Sequence, residues 1–548
     1  MKKLSLLIIL FHLCAISCFS QSTTVGSYTD RLARQNQLLG IGDNTASFSQ
    51  HPLVIDSSLQ NMVSGKSLLP SFKLFGIPSG IKILPFTWLS DYNSKLPYGY
   101  NNSSLYPNVG YQTMVTGGIH IRMGILNIQL KPEFVHAENA PFSTFANVQA
   151  NYVSGLISVF FHIVGGIDAP ERFGGFGISR AYPGQSKITL SYANIEAGIS
   201  TENMWWGPGV QNSIMMSNSA PGFLHWTFNT VKPIVTPIGS FEWQLVGGIL
   251  RQSGFTAYDP GPLANYNNLY TPKPLINRYL SAFTFNWQPK WVEGLYLGVS
   301  GYDYLNKSAS FNAESTLKKF VPIFFTSSLS QNKSSGGGDG QDFAYAINIR
   351  QVLKKYNAEI YFEYARNDAS ANFRDFFLEP EHSTAYMFGG SRFFNLKKDQ
   401  FVKIALELTH LQTPDTFLLR EEPIWYTHPE INPRDGYTNL GRYIGAGIGP
   451  GSNSLMVDFS YIKKLNSFGV KLERYVHDND LYYSGRAGTT DYVSHWVDFS
   501  STFYANLKFR KYLISAEYAP VSVLNYEYLQ KNDISNKHAR LTLTYFFD

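Results

Sequence analysis

Past its first twenty residues the chain has no apolar run of about 18 residues, the length a membrane-crossing helix needs, yet apolar and polar residues alternate along it many times. Leu126, Ile128 and Leu130 alternate with Asn127, Gln129 and Lys131, and Ile195, Ala197 and Ile199 lie opposite Glu196. Phe241, Trp243 and Leu245 oppose Glu242 and Gln244, and Ala358, Ile360, Phe362 and Tyr364 oppose Glu359, Tyr361 and Glu363. The pattern returns in Val402, Ile404, Leu406 and Leu408 against Lys403, Ala405, Glu407 and Thr409. It returns again in Phe503, Leu507 and Phe509 against Tyr504, Asn506, Lys508 and Arg510. A period of two puts successive side chains on opposite faces of a strand. A soluble barrel would show the same parity with the faces reversed. Strands this numerous, however, enclose a lumen too wide for side chains to fill. The ionisable face then meets water and the apolar face needs lipid. Glu359, Glu363, Lys403, Glu407, Lys508 and Arg510 are accordingly expected to line the lumen, as satisfied charge ladders, as a solute path or as supports for a plug.

Composition agrees. Charged residues are 16% of the 548, below the roughly 25% of soluble domains, while aromatic residues reach 15%. A formal charge of +5 without a basic block argues against a nucleic-acid partner.

Connections alternate in length, as outer-membrane barrels require. Short ones fall near 122–124, 233–240, 288–292, 352–356, 395–399, 463–466 and 508–511. Long ones fall near 91–108, 137–155, 201–223, 251–279, 303–341, 367–383, 411–452, 476–496 and 520–537. Nine long loops imply about 18 strands with both ends periplasmic, in an all-β transmembrane antiparallel barrel. Within 143–186 one strand has no clear place, and Val153–Val164 reads equally as helix. Leu541, Leu543, Tyr545 and Phe547 share one face of the last strand, a pattern resembling the signal read by the barrel-assembly machinery, though Asp548 follows.

Lys2-Lys3, the apolar stretch Leu4 to Ala15 and Cys18-Phe19-Ser20 form a secretory signal peptide, residues 1–20, cut before Gln21. A lipoprotein reading with Cys18 acylated competes, but alanine is a poor first residue for its Ala15-Ile16-Ser17-Cys18 box. Cys14 and Cys18 are the only cysteines, so the mature chain has none for a disulfide or a thiolate metal site. Residues 21–80 are expected to form a short helical periplasmic plug segment, with a helix over Thr29–Gly40 capped by Asp30 and ended by Gly40. The barrel, with its long extracellular loops, would then occupy 81–548.

The most heavily punctuated stretch is Trp205-Trp206-Gly207-Pro208-Gly209, continuing to Ser217-Asn218-Ser219-Ala220-Pro221-Gly222-Phe223. No strand or helix interior tolerates so many turn formers, so an ordered surface loop is expected. Sugar rings pack C–H faces on aromatic rings, while amides and guanidinium groups bond hydroxyls. Tyr98, Tyr100 and Asn101, then Trp205, Trp206, Asn212 and Asn218, then Trp425, Tyr426, Tyr437, Asn439 and Arg442 offer such mixtures in long loops. Packing of loops on one another, or an aromatic girdle, would use the same residues.

Catalytic motifs are lacking: there is no G-x-S-x-G elbow, H-E-x-x-H or P-loop. His382-Ser383 near aspartates is expected by chance among 12 histidines. Gly336-Gly337-Gly338-Asp339-Gly340-Gln341-Asp342 is one repeat of a calcium-binding type that needs several, so a flexible loop is the better reading, although Asp339 and Asp342 are suitable calcium ligands. No metal or cofactor is expected.

Several of these stretches resemble the capsule assembly Wzi family of outer-membrane proteins. They are Pro97 to Asn101, Pro132-Glu133 with Ala137 and Asn139, Ile167-Asp168-Ala169-Pro170-Glu171-Arg172-Phe173-Gly174, Gly184-Gln185-Ser186 and Trp205 to Gly209. Ser217 to Phe223, Glu359 to Asp368, Pro380 to Ser383, Gly436-Tyr437-Thr438 and Gly449 to Ser454 continue the order. The resemblance implies an 18-stranded barrel blocked at its periplasmic end by N-terminal helices, in a lectin that holds capsular polysaccharide at the surface. The expected function is therefore a non-enzymatic outer-membrane lectin binding capsular or other surface polysaccharide. Tyr98, Tyr100, Asn101, Trp205, Trp206, Asn212, Asn218, Tyr437 and Arg442 are its expected contacts, and membrane lipid and the assembly machinery its other partners. The alternative is a porin for small solutes or saccharides.

Overall fold

The computed structural model describes residues 22–547 except 43, 54–65, 69–71, 75, 150–153, 164–166, 258–262, 264–272, 274–275, 307–319, 322, 324–341, 368–376, 379, 415–423, 428–435 and 487–492. The signal peptide and most of the 336–342 glycine tract lie outside the described residues.

Eighteen antiparallel strands close into one barrel. In order they are β1 Ile77–Asn93, β2 Gly110–Met123, β3 Leu126–Leu130 with Glu133–Ala137, β4 Ile178–Tyr182 with Lys187–Tyr192, β5 Ile195–Ser200 and β6 His225–Thr230 with Ile234–Thr236. Then come β7 Gly239–Leu250, β8 Arg278–Pro289, β9 Leu295–Asn306, β10 Asp342–Leu353, β11 Ala358–Arg366 and β12 Thr384–Lys397. The last six are β13 Gln400–His410, β14 Asn453–Lys463, β15 Asn466–Val476, β16 Val497–Phe509, β17 Tyr512–Leu524 and β18 Ile534–Tyr545. β18 pairs with β1, Arg540 opposite Asp91, and closes the ring. β3, β4 and β6 are each in two pieces that pair with the same neighbour. Every break holds a proline (Pro132, Pro183 or Pro233), which has no N–H to give the ladder.

The alternation read from the sequence is the wall of this barrel. Ile360, Phe362, Ile404, Leu406, Phe503 and Leu507 are exposed on the outside. Glu359, Glu363, Glu407 and Asn506 are buried on the inside. Such an outer face has no stable place in water. The strand sought in 143–186 is β4, starting at Ile178, and the ambiguous segment is a helix, α3 Ser154–Ile163, which follows the short helix α2 Phe145–Gln149. One tight turn, Ala193-Asn194, is announced by neither Gly nor Pro. Both residues take positive φ, 50° and 68°, which suits a two-residue hairpin.

The interior is filled rather than open water. Helix α1, Tyr28–Leu38, lies inside the barrel toward the end carrying the short turns. Its cap is Ser27, whose hydroxyl accepts from Asp30 N, so the expected Asp30 cap is displaced by three residues. Asp30 instead accepts from Gly26 N and meets His51 Nδ1, each at 3.0 Å. Gly40, with φ +73°, follows the last turn. Arg34 Nε donates to both oxygens of Glu359 at 3.1 Å, and Arg350 Nε donates to Glu359 Oε2 at 2.8 Å. Arg350 also donates to Gln37 Oε1 at 2.8 Å and Ser47 O at 3.0 Å. Buried charge is tolerated here because each ion is paired and hydrogen-bonded.

Candidate functional site

The Trp205-Trp206 stretch descends into the barrel instead of standing on the surface. Trp205 and Trp206 pair antiparallel with His51 and Gln50 of the N-terminal segment, and Gly207 N donates to Ser49 O at 2.9 Å. Trp206 is fully buried, its Nε1 donating to Gln244 Oε1 at 2.9 Å. Trp205 Nε1 closes on Gly209 O at 3.1 Å. Glycine is required at 207 for two reasons. Its φ is +112°, and a Cβ there would stand 2.5 Å from Glu363 Oε2. Glu407 receives the N–H groups of Val210 at 2.7 Å and Asn212 at 2.7 Å together with the Tyr361 hydroxyl at 2.7 Å. Two lumen carboxylates thus hold the filling: Glu359 takes the helix and Glu407 the loop.

The loop between β13 and β14 completes the packing. Tyr426 and Tyr437 donate to Ile214 O at 2.7 Å and Met215 O at 3.0 Å, and Tyr437 stacks on Tyr302 at 3.8 Å. Trp206, Asn212, Tyr437, Trp425, Tyr426 and Asn439 therefore have no surface to offer a polymer in this structure, and they brace the loops on one another. Of the expected lumen set, Lys403 pairs with Asp458 at 3.0 Å. Lys508 sits at the rim, donating to Arg510 O at 2.6 Å. Arg510 itself is a correction: it lies exposed in the turn between β16 and β17, where the chain has left the wall.

Two cavities stand out among the described residues. The inner one, about 400 Å³, lies between α1 and the Trp205 loop and is lined by Tyr100, Asn101, Trp205 and Asn218 beside the charges of Arg31 and Lys471. The outer one, about 360 Å³, is formed by the long loops and lined by Tyr98, Tyr100 and Arg442 with Trp496, Tyr526 and Glu171. Its volume suits a small ligand. Six of the nine expected contacts thus face a cavity: Tyr98, Tyr100, Asn101, Trp205, Asn218 and Arg442.

The outer cavity has an aromatic wall. Trp496 stacks on His477 at 3.6 Å and meets Tyr526 and Tyr528 edge-on at 5.0 and 5.9 Å. Trp496 Nε1 donates to Asp498 Oδ1 at 3.0 Å, and His477 pairs with Asp498 Oδ2 at 3.1 Å. Tyr98 donates to Ser500 Oγ at 2.8 Å. Tyr100 donates to Glu473 and receives Gln211 Nε2 at 2.9 Å. Arg442 donates to Ser103 O at 2.8 Å and to Leu105 O, and lies 4.8 Å over the Tyr106 ring.

It also has an acidic part. Glu171 Oε1 accepts Phe145 N at 3.0 Å, and its carboxyl shares a hydrogen bond with the Glu527 carboxyl. Glu527 lies beside it, and burial pushes both carboxyls up from the usual carboxylate range, Glu527 further because of the charge of Glu171. Asp478 caps helix α4, Asn479–Gly485, by accepting from Leu481 N at 2.9 Å, and burial pushes its carboxyl up to about 7. Trp496, Tyr526, Glu527 and Asp478 were not singled out in the sequence. The Tyr526-Glu527-Tyr528 triplet, with positive φ at Glu527 and Tyr528, was the available signal.

The model of the family described as "Capsule assembly protein Wzi" matches residues 123–526. The chain belongs to the capsule assembly Wzi family. It is an outer-membrane β-barrel of that family. Among solved structures it is similar to the Escherichia coli outer-membrane protein Wzi, described as involved in group 1 capsule assembly and as a carbohydrate-binding β-barrel. The TM-score is 0.59 at 11% identity, covering 95% of this chain and 98% of that one. Pseudomonas aeruginosa OprD also matches, with TM-score 0.37 and 10% identity over 88% and 96% of the two chains. No curated protein matches the sequence.

Proposed function

We propose that this capsule-assembly barrel is a non-catalytic lectin that holds surface polysaccharide in the cavity formed by its long extracellular loops. The observation that carries this reading is that outer cavity: separate loops bring Tyr98, Trp496 and Tyr526 together with bonding groups at the end away from the short turns. Aromatic faces supply contact area, and carboxyls, amides and Arg442 supply directional bonds. The carbohydrate-binding character of the similar Escherichia coli barrel supports the same reading. Tyr98, Tyr100 and Arg442 are retained as contacts, joined by Trp496 and Tyr526. α1 and the Trp205 loop serve as plug and brace below. Each sugar unit binds weakly, and the repeats of a polymer raise the retention.

The test is binding of detergent-solubilised protein to the host's purified surface polysaccharide, with a foreign acidic polysaccharide as control. Selective binding that a Trp496→Ala, Tyr98→Ala double variant loses by about tenfold or more, as lost stacking on two rings would give, is the expected result. Equal binding to both polymers, or full retention by a folded double variant, would sink the reading.

A further inference from the structure

Along the outer face of β12, Tyr386, Phe388, Phe394 and Leu396 are exposed to lipid, with Met387 and Phe393 buried behind them. Arg392 stands among them, also exposed, in register with Ala358 of β11 and with the lipid-facing Ile404 of β13. Phe393 N donates to Asn357 O at 2.9 Å, which sets Arg392 level with the short turn 354–357. The Arg392 guanidinium lies 4.6 Å from the centre of the Phe394 ring and 5.9 Å from that of Tyr356. Lys355 Nζ lies 5.7 Å from the centre of the same Tyr356 ring. Glu293, in the turn between β8 and β9, pairs with Lys354 at 2.6 Å, and among the described residues no carboxylate pairs with Arg392 or Lys355.

The rim around this point is uneven. Each of the five short turns from β8–β9 to β16–β17 holds lysine or arginine, Lys290, Lys355, Lys398, Lys464 and Arg510 among them, against the acids Glu293 and Asp399. The three short turns between β2 and β7, at 124–125, 193–194 and 237–238, hold no charged residue, and Ile125 and Ile238 stand exposed there. The basic crescent also carries exposed rings, Trp291, Tyr356 and Phe509. Aromatic rings settle at the level of lipid headgroups, where cations meet phosphate. An arginine on the lipid face is costly at mid-bilayer and tolerated near the interface, and its planar fork can hold phosphate through two parallel hydrogen bonds. We propose that Arg392 and Lys355, gathered at the Tyr356 ring, form a site for the phosphodiester headgroup of a phospholipid in the leaflet at the short-turn end. Tyr356 and Phe394 lie against the glycerol and the first carbons of its chains. Arg392 points sideways from the wall into the membrane, which favours a lipid over a soluble acidic partner.

This site lies apart from the polysaccharide cavity, and its test is independent of the lectin reading. Full-length protein in a neutral detergent, stripped of lipid, is offered phosphatidylglycerol or diacylglycerol of the same acyl chains, which lacks the phosphate. Native mass spectrometry reads the lipid retained. Phosphatidylglycerol should be retained about tenfold or more above diacylglycerol, as a charge-assisted two-bond contact would give. An Arg392→Gln, Lys355→Gln double variant should bring that ratio close to one. Arg392→Lys, which keeps the charge and loses the fork, should fall between. Unchanged heat-modifiable migration would show that the variants are folded. Equal retention of the two lipids, a full ratio in the folded double variant, or an unchanged ratio in Arg392→Lys overturns the proposal. Inorganic phosphate or soluble polyglutamate that displaces phosphatidylglycerol at equimolar concentration would assign the site to a soluble anion and overturns it as well.

Discussion

Tyr100 lines two cavities of similar volume, about 400 Å³ on its inner side and about 360 Å³ on its outer side, and different parts of the chain wall them. The inner one is bounded by strands and α1. Two of its lining cations are paired, Arg34 of α1 with Glu359 of the wall and Lys403 with Asp458 on the neighbouring strand. The outer one is bounded by loops that hold each other through rings and backbone carbonyls, around the carboxyls of Glu171, Glu527 and Asp478. Strand positions are fixed by a ladder on both sides and cannot move without breaking register, whereas loop positions can change with little effect on the barrel. On the proposed reading, the inner region is therefore a support and the outer region is where ligand choice resides.

The sharpest way to break this comparison is to remove one tryptophan from each region. Trp206 is fully buried, with its N–H bonded to Gln244, so Trp206→Ala should cost about 3–5 kcal/mol. The loss should appear as a lower denaturation midpoint and poor assembly. Trp496 is only half-buried, so Trp496→Ala should leave the midpoint nearly in place while polysaccharide binding falls. A Trp206→Ala protein of normal stability that loses binding would put the contact surface in the lumen.

Next in size is release of α1. Arg34→Ala leaves Glu359 with Arg350 and the Ser391 hydroxyl, and losing one charged hydrogen-bonded partner should loosen the helix by about 2 kcal/mol. Ion conductance in planar bilayers should rise in brief openings, and deletion of residues 22–53 should leave it high. Low conductance after that deletion would show that the Trp205 loop closes the barrel unaided. High conductance in the intact protein would favour the porin reading.

The wall was legible because its code is local. Ile360 and Glu359 differ only in parity, and parity decides which meets lipid. Long loops likewise announced themselves by Gly, Pro and Asn. The direction in which a loop folds was not legible. Trp205-Trp206 looks the same whether its partner is a polymer or Gln50-His51, since that pairing joins segments more than 150 residues apart. The outer wall was hidden for the same reason: Tyr98, Trp496 and Tyr526 are single aromatics in three loops, and only closure of β18 on β1 brings these loops together.

The smallest expected effect concerns Asp478. Its carboxyl is raised from 3.8 to about 7 by burial, so the folded loop prefers the protonated form. The resulting stabilisation is fully present below about pH 4, the unfolded value, and is lost as pH rises through the folded value of about 7. Because the residue is partly exposed, screening should limit the effect to about 1 kcal/mol. Amide protection across Asn479–Gly485, corrected for intrinsic exchange, should fall between pH 5 and pH 8, at about these values. Asparagine caps a helix about as well as aspartate but does not titrate. Asp478→Asn should therefore keep α4 and flatten that profile, while the strands of the inner region stay unchanged in both proteins. Retention of the slope in Asp478→Asn would assign the titration to the Glu171–Glu527 pair, and its appearance in the strands would mean that the two regions are one cooperative unit.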